Sequence, residues 1–236
     1  LWLGTGAGLT RLKDGKFTTY SKKDGLSHRI IRSLYEDAKG ALWIGTEGGG
    51  LNRFFGGKFS SFSTKDGLSN NSVLTIYQDR EGSIWLGTFG GGLNRIRDDK
   101  FITYTAREGL GNDLALAVYQ SRDGSIWIGT IGGLSRFKDG KFRNYTIRNG
   151  LPDTKVYAFA EDQAGNMWLG TNGGLCRFKG GRVTTYTTKD GLSHDSVRSL
   201  FYDSKGRLWV GTRGGLDRFK AGKIINYSKF GFPSMP

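Results

Sequence analysis

Six tryptophans fall 41 or 42 residues apart, four strand-like segments lie in each interval, and 39 glycines stand against three prolines. Together these predict an all-β chain, a β-propeller of six four-stranded blades whose first blade lacks its inner strand. The tryptophans are Trp2, Trp43, Trp85, Trp127, Trp168 and Trp209, and each sits in a version of ALWIGTEGGGLNRF. LWLGTGAGLTRL opens the chain, and SIWLGTFGGGLNRI, SIWIGTIGGLSRF, NMWLGTNGGLCRF and RLWVGTRGGLDRF follow. A period of this length marks one blade per repeat. Many glycines with few prolines suit tight turns rather than disorder. The repeat argues for one domain over residues 1–236.

The unit from Ser69 to Tyr104 shows each element in order. NSVLTIYQD is rich in β-branched and aromatic residues and reads as a first strand. DREG is a turn with Asp first and Gly last. SIWLGT is the second strand, FGGG a glycine loop and LNRIR the third strand. DDK turns the chain into FITYT, the fourth strand, and AREGLGND leads to the next unit. The third-strand Leu and the following apolar anchor lie eight residues apart in every copy, from Leu9 and Phe17 to Leu216 and Ile224. Length varies only inside the glycine loop, where a packed sheet tolerates it.

Apolar residues in Val73–Tyr77 point both ways, which predicts sheets buried on both faces. Each Trp is then expected to stack on the adjacent blade. The first blade begins at its second strand, so the count is 23 strands. The tail YSKFGFPSMP resembles the start of another inter-blade loop. Either six blades close a ring, or more repeats lie outside this chain. Closure is expected, because an open arc exposes sheet edges. The chain begins inside a repeat and looks trimmed from something longer, and it carries no signal peptide.

The formal charge is +14. That balance fits polyanions, but its placement does not. Arg11, Arg53, Arg95, Arg136, Arg177 and Arg218 fill one column of the repeat, and five Lys and Arg182 fill another. Charge placed once per repeat makes no single patch, so neither nucleic acid nor a membrane surface is an expected partner. The Arg column is expected to pair with carboxylates or cap backbone carbonyls. Cys176 is the only cysteine and occupies the column of Thr10, Asn52, Asn94, Ser135 and Asp217, as a tolerated substitution. No stretch is long and apolar enough to span a membrane.

Two loop sets are expected at one end of each blade: the glycine loops and the inter-blade loops. The glycine loop reads GT-x-GG, and x is Gly6, Glu47, Phe89, Ile131, Asn172 or Arg213. The inter-blade loops differ too, with Ser27-His28-Arg29, Ser69-Asn70-Asn71, Gly111-Asn112-Asp113, Pro152-Asp153-Thr154 and Ser193-His194-Asp195. Repeated residues serve the repeated geometry, and the unlike tips are where a site can be written. Neutral drift at exposed tips gives the same variation. The candidate ligand face is therefore Glu47, Phe89, Asn172, Arg213, Arg29, Asn70, Asn71, Asp113, His194 and Asp195.

Other motifs reduce to structure. The glycine runs lack a following helix and a Lys-Ser/Thr pair, so they are not phosphate loops. Asp37, Asp79, Asp162 and Asp203 stand in Asp-x-x-Gly turns and are expected to cap them rather than bind metal. His28 and His194 have no neighbours with zinc-ligand spacing. No cofactor, metal or catalytic residue is expected.

The unit DGLSxxSVxSLYxDxxGxLWIGTxGGLxRFKDGKFTTYT resembles the two-component regulator propeller repeat. The residues carrying the resemblance include Gly67-Leu68-Ser69, Val73, Tyr77-Gln78-Asp79, Gly82, Ile84-Trp85-Leu86-Gly87-Thr88 and Gly92-Leu93. The resemblance implies an extracytoplasmic sensor propeller of bacterial hybrid histidine kinases or diguanylate-cyclase receptors, whose ligands are often oligosaccharides. It implies a periplasmic or extracellular setting and signalling domains further along the full-length protein. The family usually builds seven blades, often two propellers in tandem, with an immunoglobulin-like domain and a membrane helix after them. This chain shows six units and none of those parts. Three functions follow: a non-enzymatic sensor of a small molecule or oligosaccharide, a structural or protein-interaction scaffold, natural or designed, or a streptogramin-lyase-like enzyme. For the last, His194 beside Asp195 is the comparable pair, but the repeat phrase matches that family poorly.

Overall fold

A computed structural model describes residues 1–98, 100–220 and 222–227. The tail expected to begin another inter-blade loop lies outside them beyond Tyr227. The described residues form 23 strands and no α-helix. Blade one holds β1 (Trp2–Gly4), β2 (Leu9–Lys13) and β3 (Lys16–Tyr20). Blade two holds β4 (Ile31–Glu36), β5 (Leu42–Thr46), β6 (Leu51–Phe55) and β7 (Lys58–Phe62). Blade three holds β8 (Val73–Gln78), β9 (Ile84–Thr88), β10 (Leu93–Arg97) and β11 (Lys100–Tyr104). Blade four holds β12 (Ala115–Gln120), β13 (Ile126–Thr130), β14 (Leu134–Lys138) and β15 (Lys141–Tyr145). Blade five holds β16 (Val156–Glu161), β17 (Met167–Thr171), β18 (Gly174–Lys179) and β19 (Arg182–Tyr186). Blade six holds β20 (Val197–Tyr202), β21 (Leu208–Thr212), β22 (Gly215–Lys220) and β23 (Lys223–Asn226). Every sheet is a meander with strands in chain order, the first three-stranded and the other five four-stranded. This is the six-bladed propeller class, and among the described residues the first blade has three strands. The chain forms two compact units, Leu1–Val118 and Tyr119–Pro236.

Turn chemistry sets these meanders. The third and fourth strands join through a tight hairpin that needs two left-handed residues in succession. Asp14 and Gly15 supply them at φ 50° and 73°. In the Asp-x-x-Gly turn, Asp79 Oδ1 accepts from the Ser83 amide at 2.7 Å, and its Oδ2 accepts from the Trp85 indole at 2.7 Å. Asp37, Asp162 and Asp203 hold Trp43, Trp168 and Trp209 in the same way. Blade four uses Ser121, whose hydroxyl accepts from the Trp127 indole at 2.9 Å. The expected turn capping is present, and the same carboxylate also fixes the tryptophan.

Each unit has its own core. In the first, Trp43, Leu51, Leu68, Val73, Ile76, Ile84 and Leu86 cluster between blades two and three. In the second, Trp168, Leu175, Leu192, Val197, Leu208 and Phe219 do so between blades five and six. Tryptophan meets the next blade as expected: Trp2 and Phe54 ring centroids are 5.5 Å apart, and those of Trp168 and Phe219 4.8 Å. A packed aromatic pair is worth about 0.5–1.5 kcal/mol beyond area burial. The glycine of W-x-G-T lets neighbouring blades close. A Cβ on Gly87 would lie 2.7 Å from the Ala115 carbonyl oxygen, and one on Gly129 2.4 Å from that of Val156.

The Arg column pairs with a carboxylate at Arg136, as expected, and shows a further shared contact that was not expected. Register places Trp43 opposite Arg53, Trp85 opposite Arg95 and Trp127 opposite Arg136. The guanidinium lies over the indole, at 5.1 Å in Arg11–Trp2 and Arg95–Trp85. Arg136 sits at 5.3 Å from Trp127 and also pairs with Asp123 at 2.6 Å. Cation–π attraction across the strand pair, rather than carbonyl capping, is what these contacts share.

Candidate ligand face

Strands that run up and down in turn leave inter-blade segments and glycine loops at one end of each sheet. The Asp-x-x-Gly and hairpin turns lie at the other end. Each inter-blade segment contains a short 3-10 helix that the sequence reading passed over, such as Thr64–Asp66 and Thr188–Asp190. Its signal was legible as S/T-x-x-D/E, with Asn149 in place of the acid in one copy, a capping box. In Ser63-x-x-Asp66 the Ser63 hydroxyl accepts from the Lys65 amide, and Asp66 accepts from the Ser63 amide at 2.8 Å. The Ser63 amide and hydroxyl hold the Asp66 carboxyl below the usual carboxylate range. A left-handed glycine closes each helix, and the leucine after it, Leu26, Leu68, Leu110, Leu151 or Leu192, is buried.

The segment then binds the third strand. The Ser27 amide donates to Asn52 Oδ1 at 2.9 Å, and Asn52 Nδ2 donates back to Ser27 Oγ at 2.7 Å. Ser69 and Asn94 repeat the pair. In blade five Pro152 offers no amide proton, and the third-strand position is Cys176, buried and beside Thr185 at 3.8 Å. Burial pushes the thiol up to about 11.

Glycine loops attach to the same frame. The threonine hydroxyl of GT-x-GG donates back across the loop, as Thr46 does to the Gly50 carbonyl at 2.8 Å. The amide of the variable residue donates to the residue before the first strand: Glu47 to Ile30, Phe89 to Ser72, Asn172 to Lys155 and Arg213 to Ser196. In the first unit, Glu47 and Phe89 also form bridges to Ser72 and Leu114 of the following segment. Unlike side chains therefore hang from one hydrogen-bonded backbone.

Half of the nominated side chains help to build that frame. Asn70 Oδ1 accepts from the Ser72 amide at 2.8 Å, and His194 Nδ1 from the Ser196 amide at 2.8 Å. Asn71, Asp113 and Asp195 accept from the first amides of the 3-10 helices, those of Thr64, Ala106 and Thr188. Glu47 pairs with Arg32, and Asn172 Oδ1 accepts from the Ser196 hydroxyl at 3.0 Å. Arg29 reaches the Gly6 carbonyl at 3.3 Å. Phe89 is 58% exposed, and Arg213 is exposed.

A further variable column escaped the sequence reading. Register shifts between Ile31 and Ser33, Val73 and Thr75, Val156 and Ala158, and Val197 and Ser199 leave Arg32, Leu74, Tyr157 and Arg198 as bulged residues beside the loops. Arg198 stacks over Tyr157 at 3.8 Å. The variable position in S-V-x-S-L-Y was the available signal. These bulges also explain the broken alternation of the first strands, which the sequence reading assigned to two-sided burial alone.

Two clefts lie at the other end. One of about 560 Å³ lies between blades four and five, and one of about 710 Å³ between blades two and three. No nominated residue lines either. Among the described residues no group of three or more His, Cys, Asp or Glu side chains could hold a metal ion. No helix among them is long and apolar enough to cross a membrane.

Solved structures share this fold. The extracellular domain assigned to the hybrid two component system BT3049 from B. thetaiotaomicron is similar over 93% of the chain and 37% of its own length, at 23% identity and a TM-score of 0.67. The extracellular domain of BT4673 from B. thetaiotaomicron matches 96% of the chain and 39% of its own, at 21% identity and 0.54. Virginiamycin B lyase from Staphylococcus aureus matches 95% of the chain and 78% of its own, at 17% identity and 0.73. The chain thus spans well under half the length of these two extracellular domains. No curated protein sequence matches it. The family model described as "Two component regulator propeller" matches residues 25–48, 67–90, 109–132, 150–173 and 191–214, just over half of the chain. On this match the chain belongs to the two component regulator propeller family.

Proposed function

We propose that the chain is a non-enzymatic ligand-sensing propeller module whose ligand is a carbohydrate held over the glycine-loop end of the blades. The carrying observation is the frame itself: repeated hydrogen bonds fix the loops, while the side chains they present differ from copy to copy. Within the second unit Arg213, Asn172, Tyr157 and Arg198 offer polar and aromatic contacts, and within the first unit exposed Phe89 offers an apolar platform for a sugar ring. Family membership and the likeness to two extracellular domains of two component and one component systems support a periplasmic or extracellular setting, with signalling domains elsewhere in the full-length protein.

The lyase similarity raises an enzymatic reading. It finds no support at the pair that would carry it, because the His194 Nδ1 and Asp195 Oδ1 acceptors close their own loop. Calorimetric titration with neutral and acidic oligosaccharides tests the proposal. One of them is expected to bind, with affinity at least tenfold weaker in Arg213→Ala and Phe89→Ala. Absence of binding across the set, or binding indifferent to both substitutions, rejects it in favour of a scaffold.

A further inference from the structure

The two clefts at the turn end share an architecture but not a charge. Between blades two and three, Lys39, Arg53 and Arg97 face Asp37, Glu81 and Asp98. Between blades four and five, Arg122, Arg136, Arg143 and Lys179 face only Asp123 and Glu161. Both of those carboxylates are engaged. Asp123 takes Arg136 at 2.6 Å and Lys138 at 3.4 Å, and Glu161 accepts from the Arg122 amide at 2.9 Å. Among the described residues neither Arg143 nor Lys179 has a carboxylate partner.

Arg143 also stands apart in the repeat. The register that sets it opposite Arg136 places Thr18, Ser60, Ile102, Thr184 and Ile225 at the matching position of the other blades. Its side chain is held in place, with the guanidinium over the Tyr145 ring at 5.3 Å. Tyr145 in turn packs edge-on against Phe178 at 4.9 Å, which fixes the wall beneath. A planar guanidinium braced on an aromatic and lacking a carboxylate is a ready paired donor for a two-oxygen anion.

The geometry points to this cleft as an oxyanion subsite, which takes the carboxylate or sulfate of an acidic sugar through Arg143 and Lys179. This rests on the carbohydrate reading above and adds a second contact region at the opposite end of the blades. The fold itself supplies a test variant. Threonine occupies the Arg143 position in blades one and five, so Arg143→Thr keeps a residue the sheet already accepts.

The experiment titrates the whole chain with a uronate-containing disaccharide, its methyl ester, a sulfated disaccharide and inorganic sulfate. Circular dichroism and the thermal midpoint check that each variant is folded. At least one acidic disaccharide is expected to bind at least tenfold more tightly than the ester, with that preference removed in Arg143→Thr and reduced in Lys179→Ala. Acid-sugar binding lost in Arg213→Ala but unchanged in Arg143→Thr overturns the cleft and leaves the carbohydrate reading intact. Binding of inorganic sulfate as tight as the sugars overturns the sugar assignment of this subsite. No binding of any disaccharide overturns the subsite, and the carbohydrate reading falls with it only if the neutral oligosaccharides also fail to bind.

Discussion

Asp217 stands where blades two and three carry Asn52 and Asn94, and the exchange is not neutral. All three are fully buried and receive the serine of the inter-blade segment. Asparagine also donates back, whereas Asp217 accepts both the Ser193 amide and hydroxyl on Oδ2 and leaves Oδ1 without a hydrogen bond. Burial raises its carboxyl against the lowering effect of the Ser193 bonds. A raised acid favours the protonated form in the fold, so its contribution is present below the unfolded value near ~3.9 and is lost as pH rises through the folded value. Asp217→Asn is therefore expected to stabilise at pH 7 by on the order of 1 kcal/mol, and the gain should fade below about pH 4. Urea titrations at the two pH values check this; a loss at pH 7, or an equal gain at both, contradicts it. The column was visible in sequence, but its partner is 24 residues away, so Cys176 read as a mere tolerated substitution. Pro152, which has no amide to satisfy, gives the reason.

At the scale of the element, the strands and turns were legible because they follow from nearest neighbours. β-branched runs, Asp-x-x-Gly turns and short polar turns such as DDK placed all 23 strands. The 3-10 helices were equally local, since each lies within its own capping box. The bulges were not legible, since a register shift exists only between two paired strands. Glycine in W-x-G-T belongs with them. Its role is the approach of the following blade, not a turn. Gly129→Ala would press a Cβ toward the Val156 carbonyl, and overpacking of this kind costs about 1–3 kcal/mol. A lower denaturant midpoint with unchanged slope is the expected result; an unchanged midpoint would show that the blades yield at no cost.

For the whole molecule, reading the +14 charge by column accounts for the repeated arginines, but it does not reveal the surplus of cations in the cleft between blades four and five. Guanidinium groups of that column lie on tryptophans, where they cover apolar surface as well as carry charge. One domain over residues 1–236 stays a proposal, set beside two compact units whose boundary falls inside β12. It expects a single calorimetric transition with matching van't Hoff and calorimetric enthalpies, and two resolved transitions would assign the units separate stability. The candidate site was half legible. Repeat comparison found the loop tips, but not that Asn70, Asn71, Asp113, His194 and Asp195 build the loops. By itself the sequence determined the repeat, its strands and its turns, because spacing and local chemistry act over a few residues. Only the tertiary structure decided which columns meet: arginine on tryptophan, serine on asparagine, and Arg143 in a cleft short of carboxylates. Those meetings depend on register and on the packing of one blade against the next, which no single repeat contains.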